Sequence, residues 1–239
     1  MDCRTGDCRG SKTEQLCIPR WKRGLDLVCI ALTLPFWLPL MLLIAVGIEL
    51  VSPGPILFRQ ERVGYRGRRF ICFKFRSMRV NAETRTHEDY MEHLMQTDRP
   101  MTKLDAAGDN RLIPFGRIFR ATGLDELPQL FNVIRGEMSL VGPRPCTSKE
   151  AEHYTTHQQQ RFNAAPGLTG YWQVNGKNKT TFKEMIDMDI HYTNTMSLRM
   201  DIWILIKTVP SIACHLFEQH LVKHLKHDPD ETFRKQLSQ

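Results

Sequence analysis

The sequence predicts an α+β, mostly helical chain mounted on a membrane segment, and three stretches predict it. One is the run from Leu27 to Ile48, which carries no charged side chain. The second is a pair of β-prone runs either side of "GYRGR". The third is the spacing of Leu127, Leu130, Phe131 and Ile134 at i, i+3, i+4 and i+7, the signature of one helical face. A chain of 239 residues with 41% hydrophobic and 25% charged residues can bury a real core, which excludes wholesale disorder. The formal net charge of +7 calls for an anionic partner or surface. Nucleic acid, phosphorylated metabolites and acidic lipid all satisfy it.

Residues 1–20 read as a polar tail. The chain's 7 cysteines are odd in number, lack CxxC spacing and have no His set to complete a zinc site, so they read as reduced thiols in a cytosolic setting. Residues 21–51 read as the membrane segment, because a spanning helix needs about 20 apolar residues. It lacks the short apolar region and small-residue cleavage site of a signal peptide and is expected to be retained. Pro35 and Pro39 fall near its middle, where each removes a helix donor. Arg20, Lys22 and Arg23 precede it, and Arg59, Arg62, Arg66, Arg68 and Arg69 follow. Positive charge favours the cytoplasmic side. A helix broken at Pro35 to Pro39 that returns to the same leaflet and a kinked single span are both compatible with that pattern.

Residues 52–212 read as the folded domain. "ILFRQERVGYRGRRFICFKF" predicts a β-hairpin, with Ile71, Phe73 and Phe75 on one face and Lys74 on the other. Between Arg59 and Arg79 a single acidic residue, Glu61, stands among basic ones, which suits an anion or a headgroup layer. Residues 81–110 are polar and read as one helix and a loop. In "RATGLDELPQLFNVIRGEMSLVGPRP", Asp125 can serve as a helix N-cap, with Glu126 and Pro128 in the first turn and Gly136 as the stop. That reading leaves out Arg117 and Arg120 before the acidic pair, and Arg144 on its stiff backbone between Pro143 and Pro145. A guanidinium so held suits a forked phosphate or base contact.

Tyr171 and Trp172 read as an interior or interfacial aromatic pair. "SLRMDIWILIKTVPSI" suits an amphipathic helix in the membrane interface. His153, His157 and His191 have no metal-ligand spacing, and residues 213–239 read as a C-terminal tail.

Taken together, "PGPILFRQERVG", "KFRSM", "RATGLDELPQLFNVIRGEMSLVGPRP", "PGLTGYWQVNGK" and "DIHYTNTMSLRMDIWILIKTV" resemble the bacterial sugar transferases. These are the monotopic phosphoglycosyl transferases that start glycan assembly on polyprenol phosphate. The similarity runs from about Trp21 to Val209, and the motifs stand in the family's order.

The resemblance implies transfer of a sugar 1-phosphate from a UDP-sugar to polyprenol (undecaprenyl) phosphate, releasing UMP and requiring Mg2+. It serves exopolysaccharide, O-antigen, capsule or glycoprotein assembly. Asp125 matches the family nucleophile, which forms a covalent phosphosugar intermediate. Glu126 matches the second carboxylate, a helper in metal binding or acid/base work. Pro143, Arg144 and Pro145 match the element implicated in holding the nucleotide. Lys74 and Arg120 match basic positions near the phosphates, Lys177 a phosphate or sugar contact, and Asp189 an acidic position. The resemblance also implies a re-entrant helix, a place on the cytoplasmic face of the bacterial inner membrane, contact with membrane lipid and none with nucleic acid. It allows a homodimer. With no further span before Trp21, the expectation is the short form of the family.

Gly123 stands where the family usually has Ser, and Lys177 where Arg is common. Lys is a point charge without the bidentate fork, so that contact is expected to differ. Ala165 stands where the family usually has a basic residue. The rival reading is a membrane-tethered basic binding protein in which Asp125 and Glu126 only begin a helix.

Overall fold

The computed structural model describes residues 18–80, 94, 95, 97, 100, 111–176 and 180–224, with 213–224 described by backbone alone. The first seventeen residues, Lys177 and most of 81–110 lie outside the described residues. As the composition suggests, helices dominate and the sheets are small.

Helix α1, Arg20–Val51, is one helix of 32 residues that contains both Pro35 and Pro39, so the expected break is not a gap in the helix. Among the described residues it is the one helix long and apolar enough to cross a membrane. Side-chain donors reach carbonyls in the turn before Pro35. Thr33 Oγ1 donates to Cys29 O at 2.7 Å, and Trp37 Nε1 donates to Ile30 O at 3.0 Å. Such donors help a helix absorb proline. Lys22, Asp26, Ile30, Trp37, Met41, Ile44 and Ile48 form a buried stripe, while Leu32, Phe36, Leu43 and Leu50 are exposed.

Polar contacts anchor both ends of α1 to the folded domain. At the first end, the Lys22 ammonium donates to Asp201 Oδ2 at 2.5 Å and Tyr192 Oη at 2.9 Å. Asp26 Oδ1 accepts from Ser139 Oγ at 3.0 Å and the Leu140 amide at 2.9 Å. Arg23 donates to the carbonyls of Val133 and Ile134. At the far end Arg76 donates to Ser52 O and, at 2.8 Å, to Pro53 O.

Strands β1, Leu57–Val63, and β2, Arg69–Phe75, form the expected hairpin, with Leu57 opposite Phe75 and Val63 opposite Arg69. Helix α2 spans Gly116–Thr122 and α3 spans Gln129–Arg135, ending at Gly136 as expected. Strand β3, Ser139–Val141, runs through α4, Ser148–Glu152, to the parallel strand β4, Gly167–Thr169. Helices α5, Tyr171–Asn175, α6, Phe182–Thr195, and α7, Leu198–His224, complete the described chain.

Two cores result. One joins α1 to Phe75, Leu130, Val133 and Val141, and the other gathers Val63, Cys146, Tyr154, Trp172, Phe182 and Met185. The aromatic pair is interior in part: Trp172 is buried with its indole N–H on Thr180 Oγ1 at 2.7 Å, and Tyr171 lies 6.1 Å from Trp203 between ring centres.

The apolar face read from Leu127, Leu130, Phe131 and Ile134 is not wholly buried. Phe131 is 39% and Ile134 41% exposed, whereas Asn132 and Val133 on the same helix are fully buried. Periodicity identified residues sharing a face but not what covers that face. Phe131 meets Trp37 of α1 edge-on at 6.2 Å. On α7, Leu198, Ile202, Trp203, Ile206, Val209 and Ile212 are likewise exposed, and Lys207 lies over the Trp203 ring.

Candidate active site

Lys74 is placed by the hairpin, and the hairpin is placed by Asn132. The Asn132 side chain accepts from the Phe73 amide at 3.1 Å and donates to Ile71 O at 2.7 Å, as a neighbouring strand's backbone would. Its remaining amide hydrogen goes to Glu137 Oε2 at 2.6 Å. β2 is thereby fixed to α3 along the edge that β1 leaves open. Lys74, between the two clamped residues and Phe75, projects to the opposite face and donates to Glu126 Oε1 at 2.8 Å.

Asn132→Ala leaves one strand amide and one carbonyl without partners, and each such loss costs about 1–3 kcal/mol when buried. A clear fall in the unfolding midpoint is therefore expected in denaturant titrations.

Asp125 and Glu126 sit on a 3-10 turn, Leu124–Glu126, entered through Gly123 with φ +76°. That left-handed backbone favours glycine and accounts for its presence here. The turn bonds itself, Glu126 N to Gly123 O at 3.0 Å and Leu127 N to Leu124 O at 3.3 Å. It runs into α3 through Pro128, which makes no side-chain cap. Asp125 is therefore not the N-cap of the helix, because the chain is already coiled one turn earlier. Asp125 is 8% exposed. Arg120 lies in the last turn of α2, just ahead of this turn.

The Pro143-Arg144-Pro145 turn leaves β3 beside β4. Gly142 is required there, since a Cβ would lie 2.1 Å from Ala165 O. The Gly167 amide donates to Pro143 O at 2.9 Å, and Arg62 Nη1 donates to Pro145 O at 3.2 Å. Arg62 shares a hairpin face with Lys74, because Lys74 opposes Phe58 and residues four apart on a strand face the same way. One face of the hairpin thus touches both the acidic turn, through Lys74, and the Pro-Arg-Pro turn, through Arg62.

Arg144 Nη1 lies 3.3 Å from Glu150 Oε2, and Thr147 and Glu150 form a capping box on α4. Burial alone would raise the Glu150 carboxyl, but Arg144, Arg62 and Arg161 together hold it below its ordinary value. Asp189 is not at the surface: it is 1% exposed and bound to Arg161 at 2.5 Å. Arg161 in turn donates to Arg144 O at 2.7 Å. Asp189 thus stands behind the turn rather than on its open side.

One Asp189 oxygen, Oδ1, has no hydrogen-bond partner. Burial pushes the carboxyl up to about 6, with Arg161 pulling the other way. Between the ordinary carboxylate range and about 6 the folded chain holds a proton that the unfolded chain has released. Stability from this group therefore falls as pH rises through that window and is level above it. Melting curves at pH 4 to 7 are expected to show this slope, and Asp189→Asn is expected to remove it.

The structure thus brings Lys74 and Glu126 into contact, sets Asp125 on the same turn and links both to Arg144 through one hairpin. Sequence reasoning missed Asn132, Arg62, Glu150 and Arg161. A polar residue inside the apolar run "LFNVI" was the one available sign of Asn132.

A family model described as bacterial sugar transferase matches residues 18–215. The chain is 44% identical over 178 residues to a UDP-glucose:undecaprenyl-phosphate glucose-1-phosphate transferase of Xanthomonas campestris pv. campestris, covering 71% of this chain and 34% of that protein. It is 36% identical over 192 residues to the exopolysaccharide production protein ExoY of Sinorhizobium fredii, covering 80% and 85%. It is 38% identical over 193 residues to an undecaprenyl-phosphate galactose phosphotransferase of Salmonella typhimurium, covering 78% and 39%. The chain therefore spans about a third of the Xanthomonas protein's length and most of ExoY's.

Proposed function

Because the chain belongs to the bacterial sugar transferase family, we propose that it transfers a sugar 1-phosphate from a UDP-sugar to polyprenol phosphate, with UMP released. The observation that carries this reading is the Lys74–Glu126 ion pair at 2.8 Å, with Asp125 on the same turn. Two relatives bear names for this reaction, one with glucose and one with galactose.

In the proposed sequence an Asp125 oxygen attacks the phosphorus bearing the sugar, and the bond to the UMP oxygen breaks. UMP leaves with that electron pair. A phosphate oxygen of the acceptor then attacks the same phosphorus and returns Asp125 as a carboxylate. Splitting the transfer this way replaces one difficult displacement with two easier ones. Lys74 fixes the position of Glu126, and Arg144, tethered through Glu150, faces the nucleotide phosphates. Arg161 and Asp189 order the Arg144 backbone from behind.

The family's Mg2+ fits this donor set. Magnesium is usually held by one or two carboxylates together with substrate phosphates, and Asp125 and Glu126 are adjacent carboxylates on one turn. Among the described residues no group of three or more His, Cys, Asp or Glu could form a cage of its own. Bound there, the ion would offset repulsion between the carboxylates and the diphosphate.

The reading places α1 in the cytoplasmic leaflet of the bacterial inner membrane, entering and leaving on one side. What supports re-entry is that Arg23 bonds α3 carbonyls while Arg76, just past the end of β2, bonds Ser52 and Pro53. Both partners pack on one core, whereas a spanning helix would separate its ends by about 30 Å of hydrocarbon. The exposed apolar residues of α1, Phe131, Ile134 and α7 would then face lipid.

The reaction is tested by following label from the sugar phosphate of UDP-glucose or UDP-galactose. The proposal expects label in polyprenyl lipid; label in free sugar phosphate alone would make the protein a hydrolase.

A further inference from the structure

On the face of the hairpin that carries Lys74, three cross-strand pairs follow one another: Phe58 with Lys74, Gln60 with Cys72, and Arg62 with Phe70. Neighbours on one face of a strand are about 7 Å apart, so the row of Gln60 lies midway between the row that meets the acidic turn and the row that meets the Pro-Arg-Pro turn. Cys72 is 1% exposed. The polar group that this middle row presents is therefore Gln60, which is half-buried.

Arg62 fixes which way the Gln60 amide points. Its Nε donates to Gln60 Oε1 at 3.1 Å and its Nη2 to the same oxygen at 2.6 Å, while Nη1 reaches Pro145 O. A guanidinium has only donors to offer, so the atom it meets is the amide oxygen, and the amide nitrogen is turned away from the fork. Among the described residues nothing accepts from that nitrogen. An amide whose oxygen takes two charged donors is polarised, and its own N–H groups donate more strongly. The hairpin thus holds a preset donor between the two turns of the proposed site.

We infer that Gln60 Nε2 donates to the phosphate adjoining the one that Asp125 attacks. The inference rests on the function proposed above and adds a substrate contact to it. With the attacked phosphorus at the acidic turn and the nucleotide toward Arg144, the UMP phosphate has to cross the middle row. Displacement at phosphorus runs in line, so the group that discharges the phosphosugar enters where UMP departed. The acceptor's phosphate then stands over the same amide. One donor thereby serves both half-reactions, first on the phosphate that leaves and then on the phosphate that arrives.

The test uses the full chain in nanodiscs and follows the half-reactions separately, as UMP release without acceptor and as discharge of the phosphosugar adduct by undecaprenyl phosphate. Gln60→Met is neutral and of similar length but has no donor; it is expected to slow both steps about tenfold to a hundredfold, the scale of a lost hydrogen bond to a charged group. Inhibition by UMP is expected to weaken by a like factor, with inhibition by uridine unchanged. Equal weakening for UMP and uridine would show a disturbed fold, and full activity would show no contact; either overturns the proposal. Slowing of adduct formation alone overturns the shared role. A loss that differs between glucose and galactose donors while UMP inhibition stays as before also overturns it, since the contact would then be to the sugar. Where Gln60→Met fails to fold, Gln60→Glu keeps an acceptor for Arg62 and sets a carboxylate where the phosphate stands. UMP inhibition is then expected to weaken while uridine inhibition holds, and unchanged UMP inhibition overturns the proposal. If the unmodified chain itself transfers no sugar phosphate, the transferase reading falls and this inference with it; normal transfer by the unmodified chain beside an unaffected variant removes the Gln60 contact alone.

Discussion

Asp125→Asn is expected to lower sugar-phosphate transfer at least about a thousandfold, the scale on which removing a covalent nucleophile acts. Asparagine keeps the shape of the side chain but is not a competent phosphoryl acceptor. The fold should survive, because the 3-10 turn holding residue 125 closes through backbone bonds. The expected pattern is therefore an unchanged melting transition with transfer lost. The rival binding-protein reading makes Asp125 a helix cap, for which Asn serves about as well as Asp. That reading predicts no loss, and the geometry removes its premise, since Pro128 and not Asp125 precedes the helix.

The second large effect is expected at Lys74. Lys74→Met is expected to cost about a hundredfold in kcat/KM, in line with removing one preorganised charged group from a site where charge develops. Stability should change little, because both side chains of the Lys74–Glu126 pair are partly exposed and such pairs contribute about 0–1 kcal/mol. Glu126→Gln is expected to cost a similar factor. If Lys74 works by positioning Glu126, the double variant should lose far less than the product of the two single losses. Fully multiplicative losses measured by UMP release would mean that the two residues act independently.

What was legible in the sequence followed from short-range pattern. The alternation from Leu57 to Phe75 gave the hairpin, the uncharged run gave α1, and Gly136 ended α3 where expected. Proline spacing also marked the turn that carries Arg144. Contacts between distant residues were not legible: Lys22 with Asp201, Arg161 with Asp189, and Asn132 with the edge of β2. Each brings a buried polar group to a partner that no local rule selects. The apolar face of α3 was misread for a related reason. Phe131 and Ile134 share the helix with buried Val133, and only the placement of α1 shows which side meets the core. The Asp125 reading failed because a 3-10 entry and an acidic cap have the same residue pattern.

The central claim is that Asp125 carries the sugar phosphate between donor and acceptor. It is tested most directly by mixing the protein with UDP-glucose or UDP-galactose and no lipid acceptor, then measuring the mass of the intact chain. A gain equal to one hexose phosphate, lost in Asp125→Asn and discharged by polyprenyl phosphate, is the predicted result. Turnover to lipid-linked product with no adduct at any time would contradict it and indicate direct attack by the acceptor.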